Sequence, residues 1–194
     1  EEELAVAMRL DPDSVDVMQE AARLHFMLKR YEKAAASWDR YATLVETDIA
    51  SRGLLITCYT ALGDRANVER VAQRTMARAE KAVATDADNG SAMATIFSCL
   101  LCLGEAERAK EWARRAVLID PDNLGMRYNL ACDFVVAVHD HDMALEMLRP
   151  VCRNSGHEQI AWIAADPDMD PLRDDPRFKE LVAEAEARLA TAQP

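Results

Sequence analysis

Thr85-Asp86-Ala87-Asp88-Asn89 returns 34 residues later as Ile119-Asp120-Pro121-Asp122-Asn123, with Ala82 and Ala116 ahead of the two copies in the same register. A fixed period of that length marks a repeat array, in which each unit is one supersecondary element that buries its apolar face against the next. Another copy, Leu10-Asp11-Pro12-Asp13, lies 109 residues before the last, which is three periods with seven residues over. The surplus can be placed. Leu62-Gly63-Asp64 and Leu103-Gly104-Glu105 stand 41 apart, one period and the same seven, so the insertion falls between Gly63 and Ala82. Residues 66–85 read as one uninterrupted helix. Seven residues add close to two turns at ~3.6 residues per turn, which lengthens that helix without rotating its buried face.

Within residues 90–123, Leu103-Gly104 closes a first helix, and Ala109, Ala113 and Ala116 give a second helix a face small enough for close approach. Gly104 supplies the permissive turn, and Asp120-Pro121 stops the second helix before the next begins. This stretch resembles a tetratricopeptide repeat. The resemblance implies an all-α fold, a right-handed superhelical solenoid of antiparallel helix pairs. The array runs as a half repeat at 1–13, then 15–48, 49–89 with the lengthened second helix, 90–123 and 124–153. A linker and a capping helix follow over 154–194. The expected helices are 2–10, 15–28 with 31–46, 49–62 with 66–85, and 124–137 with 142–153, with one extra loop residue near His139. Tyr31-Glu32-Lys33-Ala34 opens a second helix, and Tyr128-Asn129-Leu130-Ala131 resembles the family's first helix with Ala144 as its packing alanine. Asp175-Pro176 caps the last helix, whose apolar face is Phe178, Leu181, Val182, Ala185 and Leu189. Because the chain opens on a second helix that lacks its partner, a larger polypeptide is expected to continue upstream of residue 1.

Composition agrees with helices. Half of the 194 residues are hydrophobic, only 6% are aromatic and only 6 are Gly, which favours Ala- and Leu-rich helices in one cooperative unit. The formal net charge of −11 repels phosphate backbones and anionic lipid, so nucleic acid and membrane are not expected partners. No apolar run reaches the ~20 residues that span a bilayer, and Glu1-Glu2-Glu3 is the reverse of a basic signal sequence, which points to the cytoplasm. Five cysteines, Cys58, Cys99, Cys102, Cys132 and Cys152, sit mostly in apolar helical runs, as expected of free thiols in a reducing compartment.

The motifs that could carry chemistry each have a plainer use. His139-Asp140-His141-Asp142 holds metal-competent donors, but it falls in a short turn where Asp142 serves better as a helix cap. Asp166-Pro167-Asp168-Met169-Asp170 imitates a calcium loop, but Pro171 stands where such a loop needs Gly and Arg177 where it needs Glu, so a turn-rich acidic linker is expected. Cys99-Leu100-Leu101-Cys102 has redox spacing but lies inside a helix. Cys58 and Cys99 occupy equivalent repeat positions, as buried packing residues would. Trp38, Trp112, Trp162 and the nine methionines read as core. No metal, no cofactor and no catalytic constellation is expected.

The family resemblance places a peptide-binding groove on the first helices, lined by Gln19, Arg23, Thr57, Thr60, Thr95, Ser98, Tyr128, Asn129 and Cys132. Arg23 and Asn129 are its only Lys, Arg or Asn members, which disfavours the acidic chaperone tails that some relatives grip. From Gly104-Glu105-Ala106-Glu107-Arg108-Ala109 through Arg127-Tyr128-Asn129-Leu130-Ala131-Cys132 to Asp170-Pro171-Leu172-Arg173-Asp174-Asp175-Pro176-Arg177-Phe178, the chain is similar to the repeat tails of bacterial class III adenylate cyclase proteins. That implies a non-catalytic module that binds a protein, a peptide or another domain of its own polypeptide. The alternative is self-association, for example as a homodimer, through residues 2–10.

Overall fold

The computed structural model describes residues 2–11, 14–45 and 51–191, which are helical apart from short connections. They fall into two compact units, Glu1–Ala79 and Glu80–Pro194. The stop at Pro12 and the helix limits at 46 and 49 lie outside the described residues.

The first unit holds α1 (Glu2–Leu10), α2 (Val15–Met27), α3 (Tyr31–Leu44), α4 (Ser51–Ala61) and most of α5 (Arg65–Thr85). Ser14 caps α2 by accepting from the Val17 amide. Met18, Ala21, Ala22 and Phe26 of α2 meet Ala34, Ala35, Trp38 and Tyr41 of α3, all buried. The alanines let the helices close up. Phe26 then stands edge-on to Trp38 at 5.7 Å and to Tyr31 at 6.0 Å.

The turns inside the pairs are built alike. Lys29 (φ 55°), Gly63 (φ 70°) and Gly104 (φ 80°) adopt the left-handed conformation just after α2, α4 and α6. The following amides of Arg30, Asp64 and Glu105 reach back to the carbonyls of His25, Tyr59 and Leu100, satisfying the last helical acceptors. α5 has 21 residues against 14 in α7, so the seven-residue surplus lies within this helix. Its buried Val68, Val71, Ala72, Thr75 and Ala79 keep one stripe.

The second unit holds α6 (Gly90–Cys102), α7 (Ala106–Ile119), α8 (Leu124–Asp133), a π-helical turn (Phe134–Val138), α9 (His141–Asn154), α10 (His157–Ala165), a 3-10 helix (Pro167–Leu172) and α11 (Pro176–Thr191). Asn89, Asn123 and Asp140 cap α6, α8 and α9 through their side chains. α6 pairs with α7, and α8 with α9. Ala109, Ala113, Ala116 and Ala144 are buried at these contacts. The start of α6 lies so close to the end of α7 that a Cβ on Gly90 would stand 2.5 Å from Asp120 Cβ.

Three local expectations change. The extra residue near His139 is absorbed inside the helix by the π turn, and the Asp140 amide reaches back to the Phe134 carbonyl. The cap of α9 is Asp140, not Asp142, which instead pairs with Arg177 at 2.6 Å. The stretch expected as linker contains α10 and the 3-10 helix, because Ile160 and Ile163 form a short apolar face buried in this unit. Asp175 accepts from the Arg177 amide at 2.8 Å and caps α11, whose Phe178, Leu181, Ala185 and Leu189 are buried. No helix among the described residues is long and apolar enough to cross a membrane.

Candidate functional site

In the second unit the two first helices, α6 and α8, lie side by side and parallel. Asn123 Nδ2 donates to Ser91 Oγ at 3.0 Å near their starts, and the Ser98 hydroxyl donates to the Asp133 carboxylate near their ends. Thr95 is half-buried and spends its hydroxyl on the Ser91 carbonyl, while the Asn129 side chain is exposed.

Tyr128 and Cys132, two other expected groove residues, are turned to the chain's own C-terminal segment. Tyr128 is buried; its hydroxyl donates to Asp166 and accepts from Trp162 Nε1 at 2.6 Å. The second Asp166 oxygen accepts from the Asp168 amide at 2.9 Å and starts the 3-10 helix. Arg173 staples this segment through the carbonyls of Ala164 and Asp166 and the Asp170 carboxylate. The 3-10 helix packs on the π turn that follows α8. Cys132 Sγ and one carboxylate oxygen each from Asp166 and Asp168 therefore lie within 4.8 Å of one another.

The cluster is electrostatically crowded. Burial pushes the Asp133 carboxyl up to about 7, with the Ser98 bond opposing it. Burial raises Asp166 against the Tyr128 and Asp168 hydrogen bonds, and raises Asp168 further with help from neighbouring Asp166, Asp133 and Asp170. Cys132 and Tyr128 are also held well above their ordinary values, burial first. Elsewhere burial lifts Cys99, raises Cys102 to about 12 and raises Cys152 to about 11. These four thiols stay protonated near neutrality, so the Cys99 and Cys102 pair offers no thiolate nucleophile.

In the first unit, Gln19 and Arg23 are half-buried on α2. On α4, Thr57 is half-buried and donates to the Gly53 carbonyl at 3.3 Å, and Thr60 is exposed. A polar knot joins the neighbouring helices. Tyr59 donates to Asp39, Arg70 approaches Asp39 at 3.4 Å, and buried Arg52 donates to the Ala42 carbonyl at 3.1 Å. Burial and the Asp39 bond push Tyr59 up to about 12.

The sequence reading did not single out Asp133, Arg173 or the Trp162 donor, and it treated Asp166 and Asp168 as part of a turn-rich acidic linker; Asp166 does cap the 3-10 helix, but both aspartates are buried. Asp133, Trp162 and Asp166 find partners 34 to 38 residues away along the chain. The available signal was Trp162 four residues before an Asp-Pro-Asp run, a large donor beside groups that sequence alone reads as wet. The tryptophans also divide: Trp38 is core, whereas Trp112 is half-buried under Arg115 at 5.4 Å.

No family model and no curated protein matches the chain. Among solved structures, it is similar to one described as a crystal structure of MamA, with TM-score 0.46 and 13% identity over 77% of this chain and 83% of that one. A second, described as MamA protein, gives TM-score 0.45 and 14% identity over 83% and 81% of the two chains.

Proposed function

We propose that this chain is a non-catalytic protein-interaction module, which takes a peptide segment of a partner on the face of its first helices. The observation that carries this reading is internal. The chain lays its own short segment, the 3-10 helix 167–172 with its cap Asp166, against Tyr128 of α8 and the π turn beyond it. A helix face that accepts one short segment through a buried hydroxyl and shape is suited to another, and Asn129 adds an exposed amide with both donor and acceptor. The protonated thiols and the absence of any activated nucleophile among the groups described favour binding over catalysis. The similarity to repeat tails of bacterial adenylate cyclase proteins supports a cytoplasmic role beside a signalling domain.

The test compares partner capture by the native chain and by Thr95→Ala/Asn129→Ala from a bacterial lysate. Recovery of the specific partner should fall on the order of tenfold or more, because each truncated central contact costs upward of ~1 kcal/mol. Equal recovery would remove these residues from the interface. A second reading, self-association, is favoured by α1, where Val6, Met8 and Leu10 are exposed at 43%, 39% and 81%. Light scattering that gives a monomer at high concentration would count against it.

A further inference from the structure

We propose that Cys132, Asp166 and Asp168 form a site for a divalent transition-metal cation of the zinc class. Three donors converge from two separate segments, the thiol from α8 and the carboxylates from the 3-10 helix and its cap.

The independent sign of a ligand is Asp168. Its side chain is more than nine-tenths buried and faces Cys132 Sγ and the Asp166 carboxylate. Its amide donates to Asp166, but no donor among the described residues reaches its own carboxylate, and the charges acting on it are Asp166, Asp133 and Asp170. A buried carboxyl facing others of its kind must be neutralised, by a proton or by a bound cation, and the nearby thiol and carboxylate supply the further ligands a cation needs. The Arg173 charge favours the ionised form of Asp166, but its guanidinium is bound to the Ala164 and Asp166 carbonyls and to Asp170 and makes no hydrogen bond to Asp168.

The donor set selects the ion. One sulfur with two carboxylate oxygens suits zinc and its neighbours better than calcium or magnesium, which take oxygen alone. Three protein ligands leave a fourth position for water. The surroundings are those of a tuned site: Tyr128 and the Asp168 amide orient Asp166, and Trp162 orients Tyr128. Binding would displace the Cys132 proton and any proton held by the carboxylates, so affinity rises with pH. The ion would tie residues 166–168 to α8 and fix the C-terminal segment in place.

The experiment titrates the chelator-stripped full chain with cobalt(II), then displaces it with zinc. The expected result is one cobalt per chain, with a near-ultraviolet thiolate-to-cobalt charge-transfer band and visible bands of tetrahedral strength. Cys132→Ser should abolish the charge-transfer band, and the near-isosteric Asp168→Asn should weaken binding at least ~10-fold with the helical circular dichroism unchanged. The proposal is overturned if no cobalt binds, if the band survives in Cys132→Ser, or if Asp168→Asn binds as tightly as the native chain. Failure to bind cobalt together with a more heat-stable Asp168→Asn chain would identify a proton-sharing carboxyl cluster instead.

Discussion

The Tyr128 hydroxyl serves buried Asp166 and half-buried Trp162 at once, so its loss weakens both. Tyr128→Phe removes one of the donors to Asp166 and the acceptor it offers Trp162 Nε1, which is expected to cost ~1–3 kcal/mol in urea unfolding. Asp133 sets a pH signature. Its carboxyl moves from 3.8 to about 7 on folding, so the folded chain holds a proton that the unfolded chain releases between these values. Its contribution to stability is therefore complete below the lower value and is lost as pH rises through the upper one. With chelator present, the urea midpoint of the native chain should fall across that window relative to Asp133→Asn. Parallel profiles would show that Asp133 ionises normally in the fold. Beyond the Trp162 signal, little of this was legible from sequence, because aspartates at helix ends and in turns are ordinarily wet. Nothing local distinguishes Asp166 or Asp168 from Asp174, which is exposed.

At the scale of helices and turns, far more was readable. The 34-residue echo located the helix pairs, and the seven-residue surplus located the long α5, because both follow from periodicity. Two substitutions test the geometry behind that pattern. Gly104→Ala forces a side chain into φ 80° and should destabilise by ~1 kcal/mol in thermal or urea melts. Gly90→Ala sets a methyl against Asp120 and should cost ~1–3 kcal/mol by overpacking, while the same change at exposed Gly156, with no neighbour within 4 Å, costs less. The π turn escaped the sequence reading for a physical reason: one surplus residue can enter a loop or widen a helix, and hydrophobicity alone does not separate these outcomes. The nine-residue α10 was missed because a short apolar run carries too few turns to display a period.

For the molecule as a whole, the two compact units make a direct prediction. Residues 80–194 have their own core, including Phe97, Leu100, Met126, Leu130, Leu148 and Ile163, and should fold alone into a helical domain with a cooperative melt. A non-cooperative melt would show that this core needs residues 1–79. The three tryptophans give a further handle, since each sits in different surroundings. Trp38 is enclosed against Phe26 in the first unit, Trp112 lies under a guanidinium on α7, and Trp162 donates to Tyr128 beside the carboxylate cluster. Chains that keep one tryptophan and carry Phe at the other two positions become separate optical channels. Emission from Trp38 follows the interior of one unit, Trp112 gives a surface baseline, and Trp162 follows docking of the C-terminal segment. The molecule thus contains a built-in fluorescence assay for its own closure, without any attached dye.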